Sequence, residues 1–180
     1  MAARARRLPA HPVLAADTSV ILDGQIIGKP ADRAEAESIL ARLAGRSHEV
    51  LTAVAVGFEE RLEVMLSTST VEFAPLDTRR IRQYVASGES HDKAGAYAIQ
   101  NADFDPVAGL TGCYANVMGL PLCHLTTQLR RLGLYPPVDV PGACRAATGY
   151  ACTVHDAILD PQALPCRHEL PPGLRAGENR

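Results

Sequence analysis

Two consecutive runs near the middle of the chain, SHEVLTAVAVGFEE and RLEVMLSTSTVEFAPL, constrain the fold most. Apolar and β-branched residues alternate in them at the period of a pleated strand, which predicts two or three antiparallel strands forming the middle of a sheet. A further strand is predicted upstream, where Val13-Leu14-Ala15-Ala16 runs through Asp17-Thr18 into Ser19 to Leu22 and stops at the Asp23-Gly24 turn of a hairpin. Helical spacing replaces alternation after Pro30, where Ala34, Ile39, Leu40 and Leu43 share a face, Pro30 fits the first turn and Gly45 is a natural stop. Asp77-Thr78 can cap a second helix over Arg79 to Ala86, ended by Gly88. A third is predicted from Pro121 to Leu132, with Leu122, Leu125, Leu129 and Leu132 as its apolar face.

The pair Asp17-Thr18 interrupts an otherwise apolar strand. A carboxylate taken out of water is costly unless it is paired or used, so Asp17 is the first candidate for chemistry. A second irregularity is Gly95, set between two alanines in HDKAGAYAIQ, where something is expected to approach the backbone closely.

With 180 residues, 47% of them hydrophobic, the chain can bury one sizeable core. A formal net charge of −2 argues against a general basic surface for coating a nucleic acid polymer, so a nucleic-acid-like ligand is expected to be small. No stretch approaches the roughly 18 apolar residues needed to cross a bilayer, and no membrane partner is expected. Basic residues open the chain, but Pro9, His11 and Pro12 interrupt the run that follows and Val13 to Ala16 is too short for a signal sequence. Residues 1–12 are therefore expected to form a disordered leader. Cysteines number five, and Cys113 and Cys123 sit in apolar stretches where reduced thiols pack as small hydrophobes, which predicts a reducing cytoplasm.

In chain order, ADTSVILDGQIIGKP, LAGRSHEVLTAVAV, DKAGAYAIQ and GCYANVMGLPL resemble the successive signature blocks of the Maf family of nucleoside triphosphate pyrophosphatases. The resemblance runs from about Val13 to Leu134, and its specificity lies in the order of separate blocks, each weak alone. It implies an α/β fold like that of the inosine triphosphatase group, a mixed twisted sheet flanked by helices around a nucleotide cleft. The domain it implies covers residues 13–134, followed by a Pro-, Gly- and Cys-containing extension over 135–180. Carried over residue by residue, it makes Asp17 the catalytic carboxylate and a ligand of a divalent cation, Mg²⁺ with Mn²⁺ as an alternative. It gives Thr18 and Gln100 to substrate selection and Lys29 and Lys93 to the phosphates. A Gln amide both donates and accepts at a base edge, and lysines meet phosphate oxygens as mobile point charges. The combination is similar to the branch acting on dTTP and UTP. The implied reaction yields the monophosphate and pyrophosphate; the implied partners are a nucleoside triphosphate and a second copy in a homodimer.

Family members begin with a strand and a loop of the form S-x-S-x-R-R that cradles the phosphates. Here MAARARRLPAHP precedes the D-T strand, and Arg4, Arg6 and Arg7 lack the strand and the serines. The expectation is a fold truncated at its N-terminus, with the phosphate loop missing and a sheet edge open. An alternative function follows, that of a catalytically impaired fragment acting as a nucleotide-binding or cell-division regulatory protein.

Other polar residues have plainer readings. His48, just ahead of an apolar strand, is expected to be a hydrogen-bonded structural histidine, and Tyr97 and Tyr114 core or rim aromatics. Cys144, Cys152, His155, Cys166 and His168 are all metal-ligand types, but C-x7-C-x2-H and C-x-H fit no common zinc framework. Scattered thiols in a poorly ordered extension are expected there, with a structural metal or a Cys144–Cys152 disulfide as alternatives.

Overall fold

A computed structural model describes residues 11–160. The leader residues Arg4, Arg6 and Arg7, and Cys166 and His168 of the extension, lie outside the described residues.

The predicted hairpin forms as β1 (Val13–Leu22) and β2 (Gln25–Ile27), turning at Asp23 and Gly24, both with positive φ. The two long central runs become two strands, β3 (Ser47–Phe58) and β4 (Arg61–Phe73), and β5 (Val107–Thr111) completes a sheet ordered β2-β1-β3-β4-β5. Every pairing is antiparallel. β1 lies against β3 along almost its whole length, with Thr18 opposite Thr52 and Val20 opposite Val50. β2 covers the other edge of β1 only at Val20 to Leu22.

Alternation along β3 places His48, Val50, Thr52, Val54 and Val56 on one buried face. At one end of that face, Val20, Leu22, Val50, Val71 and Phe73 pack against α1 (Arg33–Leu43) and α2 (Thr78–Ala86). At the other end, Val54 and Val56 pack with Leu132 and the half-buried leucines of α4 (Leu122–Arg131). Thr52 sits between the two clusters and is fully buried.

The helices depart from expectation in detail. Asp32 caps α1 by accepting from Glu35 N at 2.8 Å, while the Glu35 carboxylate accepts from Ala31 N at 2.6 Å. This reciprocal cap starts the helix after Pro30, which lies ahead of it rather than in the first turn. The phase then turns Ala36, Ile39, Leu40 and Leu43 inward and leaves Ala34 exposed. In α4 the fully inward positions are Cys123, Thr126 and Gln128, with the leucines half-buried. Gln128 is fully buried, and its amide donates to Val54 O at 2.8 Å and to Glu63 O at 3.2 Å, tying α4 to β3 and β4.

Residues 135–160 are not a poorly ordered extension. After α3 (Tyr114–Val117) and α4, the chain forms α5 (Val140–Thr148) and α6 (His155–Leu159), both packed on α4. Thr127 Oγ1 donates to Ile158 O at 3.2 Å, and the Tyr150 ring stacks on Tyr114 with centroids 5.2 Å apart. Among the described residues no helix is long and apolar enough to cross a membrane.

Candidate active site

A cleft of about 250 Å³ opens beside β1, and its wall includes Asp17, Thr18, Lys29, Lys93 and Gln100. Three separate segments of chain bring these five residues there. β1 brings Asp17 and Thr18, the segment after β2 brings Lys29, and the stretch around the 3-10 turn Ala94–Ala96 brings Lys93 and Gln100. A backbone bond ties two of them: Gly95 N donates to Gly28 O at 3.1 Å, holding the loop of Lys29 beside the loop of Lys93. Gly95 has φ of +73°, and a Cβ there would stand 3.0 Å from Val20 Cγ2, so the close approach expected at this glycine is a contact with β1 itself. The segment toward Gln100 is anchored where Ala98 N donates to the Tyr84 hydroxyl at 3.0 Å, with the Tyr84 ring stacked on Phe104 at 3.8 Å.

Asp17 is exposed, not buried as the apolar run around it suggested. The first half of β1 lies beside Val54 to Gly57 of β3 but contributes no residue to either core cluster, and Val13 and Leu14 are 47% and 45% exposed. Neighbouring side chains in a strand project to opposite faces, so Asp17 and Thr18 leave β1 in opposite directions. Both still line the cleft, on the stretch of β1 before Val20 that β2 does not pair.

The lysines differ in what holds them. Lys93 Nζ donates to Asp92 Oδ1 at 2.6 Å and to Glu89 O at 3.0 Å. The hydrogen bond and charge of Lys93, helped by the charge of Lys29, hold the Asp92 carboxyl below its usual range. The cleft wall carries two carboxylates, Asp17 and Asp92, against two ammonium groups, Lys29 and Lys93, so its side-chain charges cancel.

Sequence reasoning did not find the polar support beneath Thr18. Thr18 Oγ1 lies 2.9 Å from Thr52 Oγ1, whose hydroxyl donates to the Asn116 carbonyl at 2.9 Å. The Asn116 amide, fully buried, donates to Val50 O and to Ser69 Oγ, both at 2.9 Å. Gly119, with φ of +105°, brings its backbone close to the Thr18 hydroxyl. A threonine at the inward phase between Val50 and Val54 was the available signal. His48 is the hydrogen-bonded structural histidine expected, with Nε2 2.8 Å from the Tyr97 hydroxyl.

A second cavity is lined by Cys113, Cys123, Cys144, Cys152 and His155. All four cysteines are free. Burial pushes the thiols of Cys113 and Cys144 up, and that of Cys123 to about 12. Among the described residues no group of three or more His, Cys, Asp or Glu side chains is placed to hold a metal ion by itself.

The profile of a family described as Maf-like protein matches residues 1–132. The dTTP/UTP pyrophosphatase of Dechloromonas aromatica (strain RCB) is 50% identical over 131 residues, covering 73% of this chain and 65% of the relative. The protein of the same name from Nitrosomonas europaea is 48% identical over 129 residues, covering 72% and 62%. That from Symbiobacterium thermophilum is 50% identical over 130 residues, covering 72% and 66%. The chain thus spans between 62% and 66% of the length of these relatives.

Proposed function

The chain belongs to the Maf-like protein family, and from that premise we propose that it is a nucleoside triphosphate pyrophosphatase acting on dTTP, UTP or a modified pyrimidine nucleotide. The single observation that carries this reading is the convergence of Asp17, Thr18, Lys29, Lys93 and Gln100, far apart in sequence, on one cleft. The substrate class follows the name borne by relatives about half identical to this chain.

In this reading the Asp17 carboxylate takes a proton from the attacking water. The water oxygen bonds to the α phosphorus as the bond from that phosphorus to the α–β bridging oxygen breaks, and pyrophosphate leaves with the bridging oxygen and the electron pair of the broken bond. Lys29 and Lys93 hold phosphate oxygens as point charges. Thr18 and Gln100 meet the base. A divalent ion, Mg²⁺ with Mn²⁺ as the alternative, fits the donor set, because Mg²⁺ is commonly held by one or two carboxylates together with substrate phosphates and needs no complete protein cage. Asp17 would hold it, and when bound it neutralises charge on the phosphates. The cancelled charge of the wall argues the same way, since two lysines offset by two carboxylates do not balance a triphosphate. Lys93 Nζ, engaged by Asp92 and by Glu89 O, favours a second reading, nucleotide binding with impaired turnover. The four free thiols suit a reducing cytoplasm.

The test is pyrophosphate release from a panel of canonical and modified nucleoside triphosphates with Mg²⁺, for the chain and its Asp17→Asn variant. Release from pyrimidine substrates is expected, falling at least about a hundredfold in the variant, as removal of a general base requires. Folded protein that binds nucleotide without releasing pyrophosphate would leave only the second reading.

A further inference from the structure

The hydroxyls of Thr18 and Thr52 stand 2.9 Å apart, and a bond between two hydroxyls can run in either sense. The next link removes the choice. Thr52 Oγ1 is 2.9 Å from the carbonyl oxygen of Asn116, which only accepts, so the one proton of Thr52 is committed there. Thr52 then meets Thr18 with a lone pair, and Thr18 must donate its proton inward. The Asn116 carbonyl cannot turn away, because Gly119 N donates to the same oxygen at 3.0 Å. The Asn116 side chain is itself pinned by its bonds to Val50 O and Ser69 Oγ. Toward the cleft, Thr18 Oγ1 is left with lone pairs alone.

We infer that Thr52 is a positioning residue for base selection: it makes the Thr18 hydroxyl an obligate acceptor, so the cleft favours a base that presents a ring N–H. Uracil and thymine carry such a donor at N3, between two carbonyl acceptors that an amide such as Gln100 can meet. Cytosine carries a bare acceptor at the same ring atom, and two acceptors facing each other repel. Thr52 is fully buried and lies beneath the wall, so it acts only through Thr18. The inference rests on the reading above, in which Thr18 meets the base.

Binding of the non-hydrolysable α,β-methylene analogues of UTP and CTP, measured by calorimetry with Mg²⁺, separates this inference from the hydrolytic reading. The chain is expected to prefer the uridine analogue. In Thr52→Val the Thr18 hydroxyl loses its inward acceptor and is free to donate, so the uridine-to-cytidine affinity ratio should fall about tenfold. Thr52→Ser, which keeps the hydroxyl, should restore it. A purely structural role would weaken both analogues together and leave the ratio alone. An analogue methylated at N3, tested on the unaltered chain, should bind about tenfold more weakly than its parent whether or not the variants fold. An unchanged ratio in folded Thr52→Val, or full affinity for the N3-methyl analogue, overturns the inference and leaves the hydrolytic reading untouched. Failure of the folded chain to bind any nucleotide removes both. The expected ratios without pyrophosphate release would sink hydrolysis alone.

Discussion

His48 is held neutral by its surroundings. It is 3% exposed, and burial lowers its pKa from 6.5 to about 4. Above pH 6.5 the ring is neutral in both folded and unfolded chain. Between 6.5 and 4 the unfolded chain takes up a proton that the folded one refuses, so stability falls as the pH falls through that window, by up to about 3 kcal/mol from this residue. Urea unfolding at intervals from pH 7 to pH 4 should show the slope. His48→Gln, which cannot titrate but keeps a partner for the Tyr97 hydroxyl, should flatten it. An equally steep profile in the variant would assign the acid sensitivity to other groups.

Between elements, the contact that matters most to the cleft is that of the Gly95 turn with β1. A methyl group on Gly95 would meet Val20 Cγ2 at 3.0 Å in a left-handed backbone conformation. Gly95→Ala is therefore expected to cost about 1–3 kcal/mol and to push the turn outward, loosening the bond to Gly28 O. Because that bond keeps the loops of Lys29 and Lys93 together, nucleotide affinity should drop further than global stability alone predicts. Thermal unfolding and nucleotide titration on one sample would check this; loss of stability with full affinity would show that the two loops are placed independently.

At the scale of the whole molecule, both core clusters lie on the same face of β3, which passes under the two-helix side and the α4 side in one unbroken strand. Unfolding should accordingly be a single transition. Val50→Ala and Val54→Ala, one in each cluster, should each lower stability by about 2 kcal/mol through lost burial and a residual cavity. Circular dichroism and tyrosine fluorescence should report the same midpoint for both. Separate midpoints would mean that the α4 side melts by itself.

Strands and helices were legible in the sequence because local spacing and turn chemistry report on a residue's near neighbours, whereas Thr18, Lys29, Lys93 and Gln100 were named only by the resemblance of the ordered blocks, and Asp17 also by the polar break in its strand. The β1–β2 hairpin, the inward phase of β3 and the Asp77 cap all depend on contacts within a few residues. Exposure and partnership were not legible. Asp17 read as buried because its neighbours are apolar, yet it is exposed, on a stretch of β1 that joins neither core cluster and that β2 does not pair. Residues 135–160 read as a loose extension, yet they form helices against α4, whose half-polar face shows no sequence sign of what covers it. The proton direction at Thr18 depends on residues 34 and 98 positions away, Thr52 and Asn116, brought together by strand register and by α3. Hydrogen-bond sense passes through space along such a chain, so only the tertiary structure could decide which way the Thr18 hydroxyl faces.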